Sequence, residues 1–259
     1  MSTKLRYVLL DPTKNYTILV RTPVPVSQQP VAAARLMQAE PLAEQVGFLA
    51  GGDGRHICFR MAGGEFCGNA AMSAAVLRAA DAQETDANFT VEFQQAGTCV
   101  TVSVQSNADG SYTGTVLMPQ PQSVAYRALP GGKRLPVVTF AGIAHVVVQS
   151  PMEKAQAEKL APIWCEALQT QAVGIMRYDC ETDRLTPLVY VPSADTLYWE
   201  NSCASGTAAV GCFLAQQTDK PFEKSIKQPG GVLRIRSDGK GGLCLTGTVR
   251  IAHEREMVF

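Results

Sequence analysis

The chain has 259 residues, 46% of them hydrophobic and 18% charged, with 23 basic and 23 acidic side chains that cancel at pH 7. Balanced charge, with no basic cluster and no acidic tail, argues against nucleic acid or an anionic membrane as partner. No apolar run reaches the ~20 residues of a bilayer-spanning helix, and the length suits one large domain or two smaller ones.

In chain order, Met1-Ser2-Thr3-Lys4-Leu5-Arg6 runs straight into a strand-like segment and lacks the apolar core of a signal peptide, so the cytoplasm is the expected compartment. Helices are expected at Pro30 to Gln38, Asn69 to Ala80, Pro151 to Leu168 and Ser205 to Gln216. The second and fourth are mostly apolar and therefore expected to be buried. Period-two alternation predicts strands in Thr90 to Phe93, Cys99 to Val104, Tyr112 to Leu117 and Val232 to Ile235. Asn107-Ala108-Asp109-Gly110 and the Ser237 to Gly242 run are hairpin turns. Strands outnumber helices, which points to an α+β fold.

The chain reads as if written twice. Cys67-Gly68-Asn69-Ala70-Ala71 and Cys203-Ala204-Ser205-Gly206-Thr207 each place a cysteine before small residues and an alanine-rich apolar run. An alternating segment, a turn and a Gly-Thr-Val triplet (Gly114 and Gly247) follow each, at a near-constant offset of roughly 133 to 136 residues. The expected organisation is two pseudosymmetric halves, residues 1–125 with Cys67 and 126–259 with Cys203. Each is a mainly antiparallel sheet around a central helix, with the active site in the cleft between them. The proline-bearing stretch from Pro119 to Pro136 is the natural junction.

Eight cysteines without a CxxC pair or a secretion signal read as free thiols in a reducing compartment. His56, His145 and His253 show no metal-ligand spacing to them, so no metal is expected. Six of the cysteines, and His145, read as structural residues. Cys67 and Cys203 differ through their matched places in the repeat. A helix start leaves N–H groups without intrahelical acceptors at the positive end of the dipole. Such a position lowers a thiol's pKa and also cradles a carboxylate. Two thiols facing one carbon are what racemisation needs: one removes the Cα proton and the other returns a proton to the opposite face.

At these residues the sequence resembles the diaminopimelate epimerase superfamily, over nearly its whole length. Gly63-Gly64-Glu65-Phe66-Cys67-Gly68-Asn69-Ala70 and Cys203-Ala204-Ser205-Gly206 match its two cysteine motifs. Lys14-Asn15-Tyr16-Thr17 resembles its N-terminal strand, Gln45 falls at a substrate-contacting glutamine, and Gly142-Ile143-Ala144-His145 resembles its Gly-Asn-Pro-His segment. The resemblance implies curved sheets around central helices, catalysis by Cys67 and Cys203, and no pyridoxal phosphate, other cofactor or metal. It implies an amino-acid substrate bound by Asn15, Gln45, Glu65, Gly68, Asn69, Glu200, Ala204, Ser205 and Gly206, and it leaves a homodimer open.

Where true diaminopimelate epimerases carry an adjacent Glu-Arg pair for the distal end of their substrate, this chain has Val191-Pro192. The short first motif and Trp199-Glu200-Asn201-Ser202-Cys203 instead resemble the histidine racemases of opine-metallophore pathways. Histidine is therefore the expected substrate, with diaminopimelate or another amino acid as the alternative. An isomerase of the phenazine-biosynthesis type, acting through Glu65, is the second alternative; Asn69 and Cys203 argue against it. Glu65 itself reads equally as a substrate-orienting residue or a structural cap.

Overall fold

Some strands of the computed structural model, which describes residues 4–218 and 220–259, alternate buried and outward side chains, whereas others are buried along nearly their whole length. Residues 1–3, at the head of the segment expected to enter a strand, lie outside the described residues. In the first part of the chain come β1 (Lys4–Pro12), β2 (Thr17–Val20), α1 (Gln29–Ala39), β3 (Gln45–Gly51), β4 (His56–Met61), α2 (Gly68–Asp81), β5 (Asp86–Phe93), β6 (Thr98–Ser106) and β7 (Tyr112–Leu117). There follow β8 (Ser123–Leu129), β9 (Lys133–Phe140), β10 (Ile143–Val148), α3 (Lys154–Leu168), β11 (Ala172–Asp179), β12 (Arg184–Val191) and β13 (Thr196–Trp199). The last elements are α4 (Ala204–Ala215), β14 (Phe222–Gln228), β15 (Gly231–Ser237) and β16 (Leu243–Val258). The fold is thus α+β and mostly sheet, with four helices among the described residues. None of them is long and apolar enough to cross a membrane.

Two compact units result, Met1–Leu117 with Thr246–Phe259 and Met118–Leu245. The expected boundary at residues 125/126 lies inside β8. In the first unit the strand order runs β1-β2-β3-β4-β5-β6-β7-β16, and β16 pairs back onto β1, closing a barrel. β2 and β3 are parallel, as are β4 and β5. Parallel neighbours need a crossover, and here α1 and α2 supply it. α2 has eleven of its fourteen residues buried and packs on β1, β2, β5, β6 and β7, so it is apolar on nearly every side. Gly114 on β7 permits that approach: a Cβ there would stand 3.0 Å from the Met72 Cβ.

In the second unit the order is β15-β14-β12-β11-β10-β9-β8, with β13 off that path and paired with β12. The parallel pairs are β10 with β11 and β12 with β14, crossed by α3 and by the β13–α4 segment. α4 packs on β9, β10, β11 and β15. α3 covers a core of Trp164, Val146, Val148, Ile175 and Leu188.

A buried carboxylate ties the C-terminal strand into the first unit. Glu40, just after α1, accepts from Tyr7 Oη at 2.9 Å and from Arg255 at 3.0 Å, and its Oε1 stands 2.9 Å from His253 Nε2. Burial alone pushes this carboxyl up, but the hydrogen bonds of His253 and Tyr7 and the charges of His253 and Arg255 bring it below the ordinary 4.5. A folded pKa below the unfolded one contributes stability above about pH 4.5 that is lost as pH falls through the lowered value. Glu40→Ala is therefore expected to cost about 2 kcal/mol near pH 7 and clearly less at pH 3. Urea midpoints at both pH values check this; an equal loss at both would remove the carboxylate's charge from the account.

Candidate active site

In the first unit Cys67 is the N-cap of α2, with φ −135° and ψ 113°, and its Sγ accepts the Ala70 N–H at 3.4 Å. The preceding Phe66 is buried and packs at a tilt against Phe93 with ring centroids 4.9 Å apart, which anchors the entry of the chain into the helix. The Cys67 thiol donates to Gln45 Oε1 at 3.0 Å. The orientation of that amide is set from its other end: Gln45 Nε2 donates to Asn15 Oδ1 at 2.6 Å and to Thr17 Oγ1 at 2.8 Å. Asn15 is buried and in turn donates to Glu44 Oε2 at 2.5 Å. With both amide hydrogens engaged, only the carbonyl oxygen is left to face the sulfur. Gly68 and Asn69 form the buried first turn of α2, and Glu65 stands two residues before the cysteine. Burial pushes the Glu65 carboxyl above the usual carboxylate range.

The second unit builds the same local device. Cys203 is the N-cap of α4, with φ −124° and ψ 109°, and its Sγ accepts the Gly206 N–H at 3.3 Å. Its own N–H donates to Gln228 Oε1 at 2.8 Å, and Gln228 Nε2 donates to Thr207 Oγ1 at 2.9 Å. Thr207 closes the loop by donating to the Cys203 carbonyl at 2.6 Å. Ser205 Oγ lies 3.7 Å from Cys203 Sγ and 3.0 Å from Nε2 of the fully buried His145. Burial pushes His145 down to about 3, so the ring is neutral.

A helix N-terminus favours thiolate, yet Cys203 behaves in the opposite sense. Burial holds its thiol well above the ordinary value, and the nearby Glu200 carboxylate adds to the effect. The Gly206 N–H and the Ser205 hydroxyl oppose it and lose. The expected lowering of the thiol pKa is thus opposed at Cys203 by the burial of the residue and by Glu200.

The structure gathers Asn15, Gln45, Cys67, Gly68 and Asn69 around one helix start, with Glu65 beside it in sequence. It gathers Glu200, Cys203, Ala204, Ser205 and Gly206 around the other. The aromatic pair before Cys203 divides. Tyr198 is exposed, whereas Trp199 packs on the core under α3, donates to Glu158 at 2.7 Å and has Lys154 and Arg177 over its ring at 5.0 and 5.7 Å. Trp199 is thus held by structural contacts.

The family described as Histidine racemase CntK N-terminal domain matches residues 4–256. The chain belongs to the histidine racemase family. It is 31% identical over 240 residues to the histidine racemase of Staphylococcus aureus, covering 88% of this chain and 86% of that one. It is 30% identical over 238 residues to the histidine racemase of Fusobacterium nucleatum, covering 88% of each. A protein of Pseudomonas aeruginosa described as a predicted epimerase shares the fold with a TM-score of 0.75 at 14% identity, over 98% of this chain and 99% of that one. As a member of a racemase family the chain is an isomerase.

Several residues of this family member's two helix starts carried no role in the sequence reading. Thr17 opens β2 two positions after Asn15, which lies in the turn before that strand, so no strand period linked the two. Glu44 adjoins Gln45. Gln228 had no local signal, since it reaches Cys203 from the far end of β14. His145 read as structural, and its buried ring touches a residue of the second cysteine motif.

Proposed function

We propose that this chain interconverts L- and D-histidine, with Cys67 and Cys203 as the two bases that serve opposite faces of the substrate Cα. The observation that carries this is the identity of the two local devices. Each thiol caps the third amide of a buried, small-residue helix, at 3.4 Å and 3.3 Å and with nearly the same backbone angles. The order of elements supports a duplicated origin. In each unit two antiparallel strands lead through a helix to a parallel neighbour, and a second, cysteine-capped helix leads to another. On this reading the chain is two pseudosymmetric halves, each with its central helix carrying one catalytic cysteine.

In the proposed cycle the substrate carboxylate sits at the first-turn amides of the helices, around Gly68, Asn69, Ala204 and Ser205. There it meets N–H donors that a helix leaves without internal acceptors. Cys203 rests as the thiol, because burial and Glu200 favour the protonated form. The Cys67 S–H, which donates to Gln45 Oε1 in this structure, first gives its proton to solvent; as thiolate Cys67 then takes the Cα proton, and the electron pair passes into the carboxylate as enolate-like charge that the amides stabilise. The Cys203 S–H protonates the opposite face. The thiols end with exchanged protonation states, and the reverse reaction uses them in the other order. At that stage the Cys67 S–H is received by Gln45 Oε1, and the new Cys203 thiolate is held by the Gly206 N–H. Donation from His145 Nε2 to Ser205 leaves the Ser205 hydrogen for the same sulfur. Asn15, Gln45, Glu65 and Glu200 complete the proposed substrate-facing set.

Histidine is favoured over diaminopimelate by the family and by Val191-Pro192, which offers a distal ammonium and carboxylate no charged partner. Leaving such groups unpaired in a closed site costs several kcal/mol. The test is incubation of L-histidine, LL-diaminopimelate and neutral L-amino acids in deuterated buffer with reductant. Loss of the Cα–H signal and decay of optical rotation towards zero are expected for histidine first. Exchange in another amino acid but none in histidine removes the substrate assignment, and exchange in none of them removes the racemase reading.

A further inference from the structure

Outside the two cysteine-capped helices, β4 and β5 bring three unlike donors together on the outward face of the first unit. The burial pattern of β4 alternates, with Ile57, Phe59 and Met61 inward and His56, Cys58 and Arg60 outward. His56 and Cys58 are therefore neighbours on one face, two residues apart on a strand. β5 runs parallel to β4 with Cys58 opposite Glu92, which also points outward. The His56 Nε2 to Glu92 Oε2 distance is 3.1 Å, Cys58 Sγ to Glu92 Oε2 is 3.5 Å and Cys58 Sγ to His56 Nε2 is 4.0 Å.

Those separations are close to the edges of a tetrahedron around zinc. Bonds of ~2.0–2.1 Å to nitrogen or oxygen and ~2.3 Å to sulfur place tetrahedral ligands about 3.3 Å apart for N and O, and about 3.6 Å apart where sulfur is one of the pair. The three observed edges differ from these by less than about 0.5 Å, so side-chain adjustment alone closes the tripod. We propose that His56, Cys58 and Glu92 form a binding site for a zinc-class divalent cation, with solvent in the fourth position. The donor set is chemically apt: an imidazole and a thiolate suit a borderline-soft metal, and thiolate with carboxylate supplies two negative charges against two positive ones. The sequence reading expected no metal because it looked for cysteines and histidines at loop spacings. A strand delivers two ligands at a spacing of two, and the third arrives by pairing from 34 residues away.

The site is tested by titrating the reduced, full-length protein with Co²⁺ under anaerobic conditions and recording the thiolate-to-cobalt charge-transfer band. One equivalent is expected for the unmodified protein, displaced by one equivalent of Zn²⁺. The band is expected to persist in Cys67→Ala and Cys203→Ala and to vanish in Cys58→Ser. Glu92→Gln, at a half-exposed position that leaves the fold intact, is expected to weaken Co²⁺ binding at least tenfold. Absence of the band in the unmodified protein leaves only a His–Glu pair with a nearby thiol and overturns the proposal. So does a band that survives Cys58→Ser and Glu92→Gln but disappears with Cys67 or Cys203.

Discussion

Cys67→Ala and Cys203→Ala are each expected to lower kcat/KM for histidine racemisation by about a thousandfold, whichever enantiomer is supplied. A positioned acid or base contributes on the order of 10²–10⁴ to rate. Inversion needs one on each face, so neither thiol can cover for the other. The two variants differ in what they retain. With one base left, the enzyme still removes and returns a proton on a single face, which gives exchange with retained configuration. In deuterated buffer each alanine variant should therefore label one enantiomer of histidine faster than it racemises it, and the favoured enantiomer should switch between the two variants. Racemisation within tenfold of the unmodified rate in either variant would sink the two-thiol mechanism. The same labelled enantiomer in both would contradict the opposition of the two faces.

Gly206→Ala is expected to reduce kcat by about a hundredfold while the protein still folds. Alanine is normally the better helix former by about 1 kcal/mol, so local propensity predicts a gain in stability. The surroundings decide otherwise. A Cβ at Gly206 would collide with the Met176 Sδ and stand 3.1 Å from Cys203 Sγ. The Gly206 amide is also the donor that caps that sulfur. Relief of the clash must shift Met176, Cys203 or the first turn of α4. Displacement of a reacting group by about 1 Å is enough for a loss of that size. A smaller residue at position 176 makes room, so Gly206→Ala with Met176→Ala should recover part of the rate. Unchanged kcat in Gly206→Ala would show that the packing against Cys203 does not matter to turnover.

Much of this was legible in the amino-acid sequence, for local reasons. Cys67 and Cys203 stand out because each precedes a run of Gly, Ala, Ser or Asn that admits only a buried helix. The capping of Ala70 and Gly206 by the two sulfurs follows from where those helices begin. Tyr112–Leu117 was delimited by period two alone, and it is β7. The hairpin turn at Asn107 to Gly110 was readable from Asn, Asp and Gly, whose conformational preferences are their own. The family motifs around Cys67 are likewise contiguous.

What the sequence by itself determined, then, is periodicity, turn chemistry and the identity of the two helix-capping thiols, since each depends on residues within one or two turns of chain. Tertiary structure decided the rest. Glu92 meets Cys58 through the register of β4 and β5, whereas Gln228 meets Cys203 and His145 meets Ser205 because the start of α4 lies against β14 and β10. The parallel pairing within a mostly antiparallel sheet came from helix crossovers, and the long β16 closes the barrel of the first unit through its pairing with β1. The protonation preference of Cys203 also escaped the sequence. A helix start is a local property, but desolvation depends on everything folded around the thiol, and burial raises the Cys203 pKa.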